Sequence, residues 1–122
     1  MSSENLHENP ETLGTEVTDQ HRAIVSIIEE LEAVDWYNQR AKATVDDELR
    51  GILEHNRDEE KEHMAMVLEW LRRHDAVLDK NLKQYLFTTE PVLETEEATA
   101  VPGTGAGSGD LGIGDLRQQV TK

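Results

Sequence analysis

The chain has 122 residues, no cysteine and a formal net charge of −14. That length holds one small domain, and the missing thiols exclude disulfides, thiolate metal sites and a cysteine nucleophile. The charge repels nucleic acid and anionic membrane surfaces and attracts cations, and no run nears the roughly 20 apolar residues of a membrane span.

The first residues, MSSENLHENPETLG, are polar and lack a basic-then-apolar leader, so a soluble, cytoplasmic protein is expected. Within them Asn9-Pro10 is a helix-start signal. From about Thr15 to Gln39, Val17, His21, Ile24, Ile28 and Leu31 recur at three and four, which predicts an amphipathic helix. AKATVDDE then breaks the period, and Asp46 is placed to cap a second helix from about Asp47 to Arg73. That helix is expected to continue, bent or interrupted, through DAVLDKNLKQYLF, and Pro91 opens a short helical segment, PVLETEEA. No alternating apolar pattern occurs, so the class is all-α. From about Thr99 the composition shifts to VPGTGAGSGD, a flexible linker, followed by an apolar island around Leu111, Ile113 and Leu116. This divides the chain into a disordered N-terminus (1–14), a helical hairpin (15–97), a linker (98–109) and a terminal peptide (110–122).

The second helix contains an anomaly. Leu49, Ile52, Leu53, Val67, Trp70 and Leu71 share one face, yet HNRDEEKEH interrupts it and sets Asn56, Glu60 and His63 inside the apolar arc. Glu59 lies at the margin of that arc, and His55 and Glu62 point away. A loop is excluded by the lack of Gly and Pro between Ile52 and Leu86. The middle of the helix is therefore either solvated, or paired with a base, or built to hold an ion. An unpaired buried charge costs several kcal/mol, and Glu60-x-x-His63 projects a carboxylate and an imidazole together.

On the first helix, Glu30 lies at the edge of the apolar arc between Ala23, Val34 and Tyr37. Helical bundles that hold two metals through carboxylates take one Glu from each of two helices and Glu-x-x-His from each of two more. This chain carries half of that set. Two chains about a two-fold axis would supply four carboxylates and two imidazoles, and a lone hairpin also needs a partner to cover its apolar faces. Such donors suit iron or manganese, with zinc an alternative. Tyr37 is placed either to hydrogen-bond a ligand or simply to pack. His55, Glu59 and Glu62, at i, i+4 and i+7, form either a weak cation site or a solvated face.

Taken together, HRAIVSIIEELEAVDWYNQR, HNRDEEKEHMAMVLEWLRR and the Gly-rich tail ending in LGIGDLRQQ resemble the encapsulated ferritins. The resemblance implies a two-helix protomer that dimerises into a ferritin-like four-helix bundle, with a di-iron ferroxidase centre at the interface. It further implies a decameric ring carried as cargo inside an encapsulin nanocompartment, where oxidised iron is mineralised. By motif, Glu30, Glu60 and His63 are the iron ligands and Tyr37 the neighbouring aromatic. Glu29, Glu32 and Trp36 match residues of an iron entry path. LGIGDLRQQ is similar to the peptide that docks such cargo to the encapsulin shell, with Asp115 where a small residue such as Ser is commoner. Two other classes stay open: a non-catalytic, metal-bridged helical cargo protein, and a metal-free interaction module.

Overall fold

The computed structural model describes the backbone of residues 5–100 and the side chains of residues 5–96. It is all-α: α1 (Pro10–Ala43), α2 (Asp47–Arg73), α3 (Ala76–Tyr85) and α4 (Val92–Ala100), with no strand among the described residues. The linker and terminal peptide expected from residue 98 onward lie outside the side chains described.

Local chemistry sets each boundary. Asn9 caps α1, its side chain accepting from the Glu11 amide at 2.8 Å, and Pro10 follows with a φ already suited to the first turn. Helix therefore begins inside the segment expected to be unstructured. Gly14 then breaks it, at φ 81° and ψ 172°, a conformation that glycine alone adopts without strain. The long run expected from Thr15 is the part of α1 beyond this kink.

At the corner, Asp46 accepts from the Leu49 amide at 2.8 Å and caps α2. Arg50 ties the turn together, donating to the carbonyl oxygens of Ala41 (3.1 Å) and Thr44 and pairing with Asp47. The two long helices run antiparallel. Arg50 meets Ala41, Arg57 meets Asn38 at 3.0 Å, and Gln20 donates to the His74 carbonyl at 2.8 Å, so numbers rise on one helix as they fall on the other.

The seam between them is lined by Ala23, Ile27, Val34 and Ala41 of α1 and by Leu53, Met64, Val67 and Leu71 of α2. Among the described residues, only Ala23, Ala41 and Leu71 are buried. Many large apolar side chains stay open, among them Ile24 at 46%, Leu31 at 47%, Ile52 at 52% and Met66 at 59% exposure. A hairpin of two helices has no third layer to cover those faces. Leu71 should matter most to the protomer's own stability. Leu71→Ala is expected to cost about 2–3 kcal/mol, the low end for a buried leucine. Thermal unfolding followed by circular dichroism should show a fall of roughly 10 °C or more; an unchanged midpoint would mean the seam is not where stability resides.

The chain divides after Ala76 into two compact units, the hairpin and a second unit from Val77 onward. α2 ends at Arg73, where His74 takes a non-helical conformation, so the expected continuation is an interrupted one. In the second unit, Lys83 pairs with Asp79 along α3 at 3.1 Å, and Phe87 just past it has φ 63° and is almost fully exposed.

Candidate metal centre

Glu30 belongs to the α1 stripe that contains Ala23, Ile27, Val34, Tyr37 and Ala41, and so faces the seam. Glu60 holds the matching place on α2, between Leu53 and Met64. His63, three residues on, stands at the seam's edge. Antiparallel pairing brings the three together, and one ligand atom from each lies within 4.8 Å of the other two. His63 Nδ1 is 3.3 Å from Glu60 Oε1 and 3.8 Å from a Glu30 oxygen. The carboxylates are about three-quarters covered, and the imidazole is 41% exposed. Among the described residues this is the one group of three or more metal-ligating side chains so arranged.

The electrostatics favour a proton on two of the three groups where a cation would fit. Glu30 has its pKa raised, first by a hydrogen bond with Glu60, then by burial and by the charge of Glu60. Glu60 is lowered, first by accepting that bond and then by His63. Of the pair, Glu30 is the more readily protonated. His63 is raised, chiefly by its hydrogen bond to Glu60 and further by the charges of Glu30, Glu60 and Glu59. A divalent cation competes with protons for these groups, so binding should strengthen as pH rises.

The linkage has a definite sign. Because His63 titrates above its ordinary 6.5 when folded, its contribution to stability is complete below 6.5 and is lost as pH rises through the folded value. An NMR titration of the metal-free protein should find His63 above 6.5. Glu60→Gln should move it down; no movement would mean that Glu60 is not its main partner.

The other expected residues are distributed differently. Tyr37 is half-buried on the Glu30 stripe, with the Arg40 guanidinium 5.7 Å from its ring centroid, and no hydrogen bond joins it to the triad. Glu29, Glu32 and Trp36 are all exposed on α1, Trp36 at 52%. Of His55, Glu59 and Glu62, the first two approach to 3.9 Å and Glu62 stays exposed outside any such cluster. Two features escaped the sequence reading. Glu59 also reaches His63, with Oε1 3.9 Å from Nε2; its i, i+4 spacing was the available signal. Arg57, one turn before Glu60, pairs with Asp58 and reaches across to Asn38 of α1 at 3.0 Å, a contact that no spacing within α2 signals.

Comparison with known proteins agrees with this architecture. A protein 54% identical over 98% of this chain and 93% of its own length is the encapsulated ferritin-like protein of Rhodospirillum rubrum. A ferritin-like protein of Thermotoga maritima is 49% identical over 93% of this chain and 99% of its own length. A crystal structure of a Nitrosomonas europaea protein superposes with a TM-score of 0.69 at 60% identity, covering 71% of this chain and 96% of that one. The family model described as EncFtn-like matches residues 5–89, and the chain is a member of the EncFtn-like family.

Proposed function

We propose that this chain is a ferroxidase that oxidises Fe(II) to Fe(III) with O2 at a centre shared by two subunits. The observation that carries this reading is the meeting of Glu30, Glu60 and His63 across the seam, an acid-rich donor set that suits iron. Two copies about a two-fold axis would supply four carboxylates and two imidazoles, the complement of a paired-metal bundle. The flank of α2 that bears His63 also bears Ile52, Met66 and Trp70 at helical spacing, all of them open to solvent. A second chain seated there would cover those apolar groups and complete the ligand set together.

The residues divide the work by charge and position. The acidic surface concentrates Fe(II), and the exposed Glu29 and Glu32 beside Trp36 form the approach to the seam. Glu30, the more readily protonated of the two carboxylates, and Glu60 would both face the iron. His63 supplies a neutral donor at the open edge. Paired iron supplies electrons to dioxygen, and Fe(III) leaves for storage. Tyr37 borders this chemistry as a packing aromatic beneath Arg40.

The name of the Rhodospirillum rubrum relative supports a place inside a compartment. On this reading the terminal peptide, LGIGDLRQQ, docks the assembled ring to an encapsulin shell in the cytoplasm, with neither nucleic acid nor membrane as a partner. The test is an oxygen electrode: adding Fe(II) to the purified protein should draw down oxygen faster than buffer does. Uptake equal to buffer would leave the triad as a structural metal bridge.

A further inference from the structure

We propose that Glu59 is the positioning residue of the centre: it holds the Nε2 side of His63 and so turns Nδ1 toward Glu30 and Glu60. The inference rests on the triad being the metal site. Helix geometry supplies its frame. A helical side chain leans back over the preceding turn, so the ring of His63 lies above residues 59 and 60. Glu60, at i−3, takes Nδ1 at 3.3 Å, and Glu59, at i−4, faces Nε2 at 3.9 Å. Each ring nitrogen thus has its own carboxylate.

Position alone does not fix such a ring. His63 is 41% exposed, and half a turn about its outer bond would replace Nδ1 with a carbon at the site. A carboxylate on the far nitrogen selects one of the two orientations, because only one offers it an N–H. Metal-bound histidines are commonly held in this way, and losing the holding group typically weakens metal binding by about 10–100-fold. Glu59 suits the task because both of its ion pairs are with histidines and neither is with Lys or Arg. Its other oxygen lies 3.9 Å from His55 Nε2, on the solvent side. His55 and Glu59 would therefore act as a brace on the centre.

The test uses full-length protein and Co(II), whose visible absorption reports its ligands. Glu59 is half exposed, so neither Glu59→Ala nor Glu59→Gln removes buried packing. Glu59→Ala should bind Co(II) about 10–100-fold more weakly than wild type. Glu59→Gln keeps an oxygen to accept the Nε2 proton and loses only the charge, a long-range effect of about threefold. In the Zn(II)-loaded wild type, nitrogen NMR should show metal on Nδ1 and a proton on Nε2 of His63. Equal affinity of Glu59→Ala and wild type, or equal weakness of both variants, or zinc on Nε2, would overturn the assignment. His63→Ala separates the two readings. If it binds as wild type does, the triad is not the metal site and both fall. If it binds weakly while Glu59→Ala is unaffected, only the brace falls. Tight, Glu59-dependent binding with no oxygen uptake would sink the ferroxidase and keep the brace.

Discussion

In Glu60→Ala, oxygen uptake on adding Fe(II) is expected to drop to the level of buffer alone. Glu60 is the hub of the triad: it neighbours Glu30 and contacts His63 at 3.3 Å. In a symmetric pair its removal takes two of six ligands and frees Glu30 and His63 from their common partner. Groups that merely support a ligand are worth about 10–100-fold, so losing the ligand itself should cost at least about 100-fold. Unfolding would not explain the loss. The substitution removes a charge from a largely apolar seam and installs the best helix former, so the melting temperature of the metal-free variant should hold or rise. The comparison needs wild type, Glu60→Ala and Glu59→Ala side by side, with oxygen uptake and Co(II) affinity measured on each. A Glu60→Ala protein that keeps more than half of the wild-type rate would place the chemistry elsewhere.

Much of this was legible because helices report themselves through spacing. The stripe of Leu49, Leu53, Val67 and Leu71 and the cap at Asp46 predict α2 from about Asp47 to Arg73, which it spans, and the polar break at Glu60 and His63 points to the place where the structure gathers three metal-ligating side chains. Glu30 stood out because it lies at the edge of the apolar arc, between Ala23, Val34 and Tyr37. The unread parts depend on rotamers and on the neighbouring helix. Glu59 was grouped with His55 and Glu62 because a wheel shows where a side chain starts and not where it leans. Its turn toward His63 is a matter of about one side-chain length. Arg57 went unnoticed for a different reason. Its partner, Asn38, lies on the other helix, and only the antiparallel register brings them to 3.0 Å. The kink at Gly14 was hidden as well: Asn9-Pro10 signals a helix start within a polar segment that otherwise reads as unstructured, and only the φ of 81° shows that a break separates that turn from the helix beyond Thr15.

Pairing of two chains should prove as necessary as any ligand, and Ile52→Asp/Met66→Asp is the variant that shows it. Both residues are more than half exposed in the protomer, at 52% and 59%, so charging them leaves the hairpin intact. In a two-fold pair they would be covered, and each buried carboxylate would then cost several kcal/mol, which is about 1,000-fold or more in association. Sedimentation should find wild type paired and the variant monomeric. Oxygen uptake per chain should collapse with pairing although Glu30, Glu60 and His63 are untouched, because one chain offers two carboxylates and one imidazole to one ion. Salt provides an independent sign. Two chains of formal charge −14 repel each other, so a pair joined by apolar groups tightens as salt screens that repulsion, whereas a pair joined by ion pairs loosens. Fe(II) bound between the carboxylates acts in the same direction as salt by cancelling charge where the chains meet. The wild-type rate per chain should therefore fall on dilution and recover on adding salt or more protein. A monomeric double variant with full activity would show that one hairpin holds a complete centre, and the shared-site reading would fail.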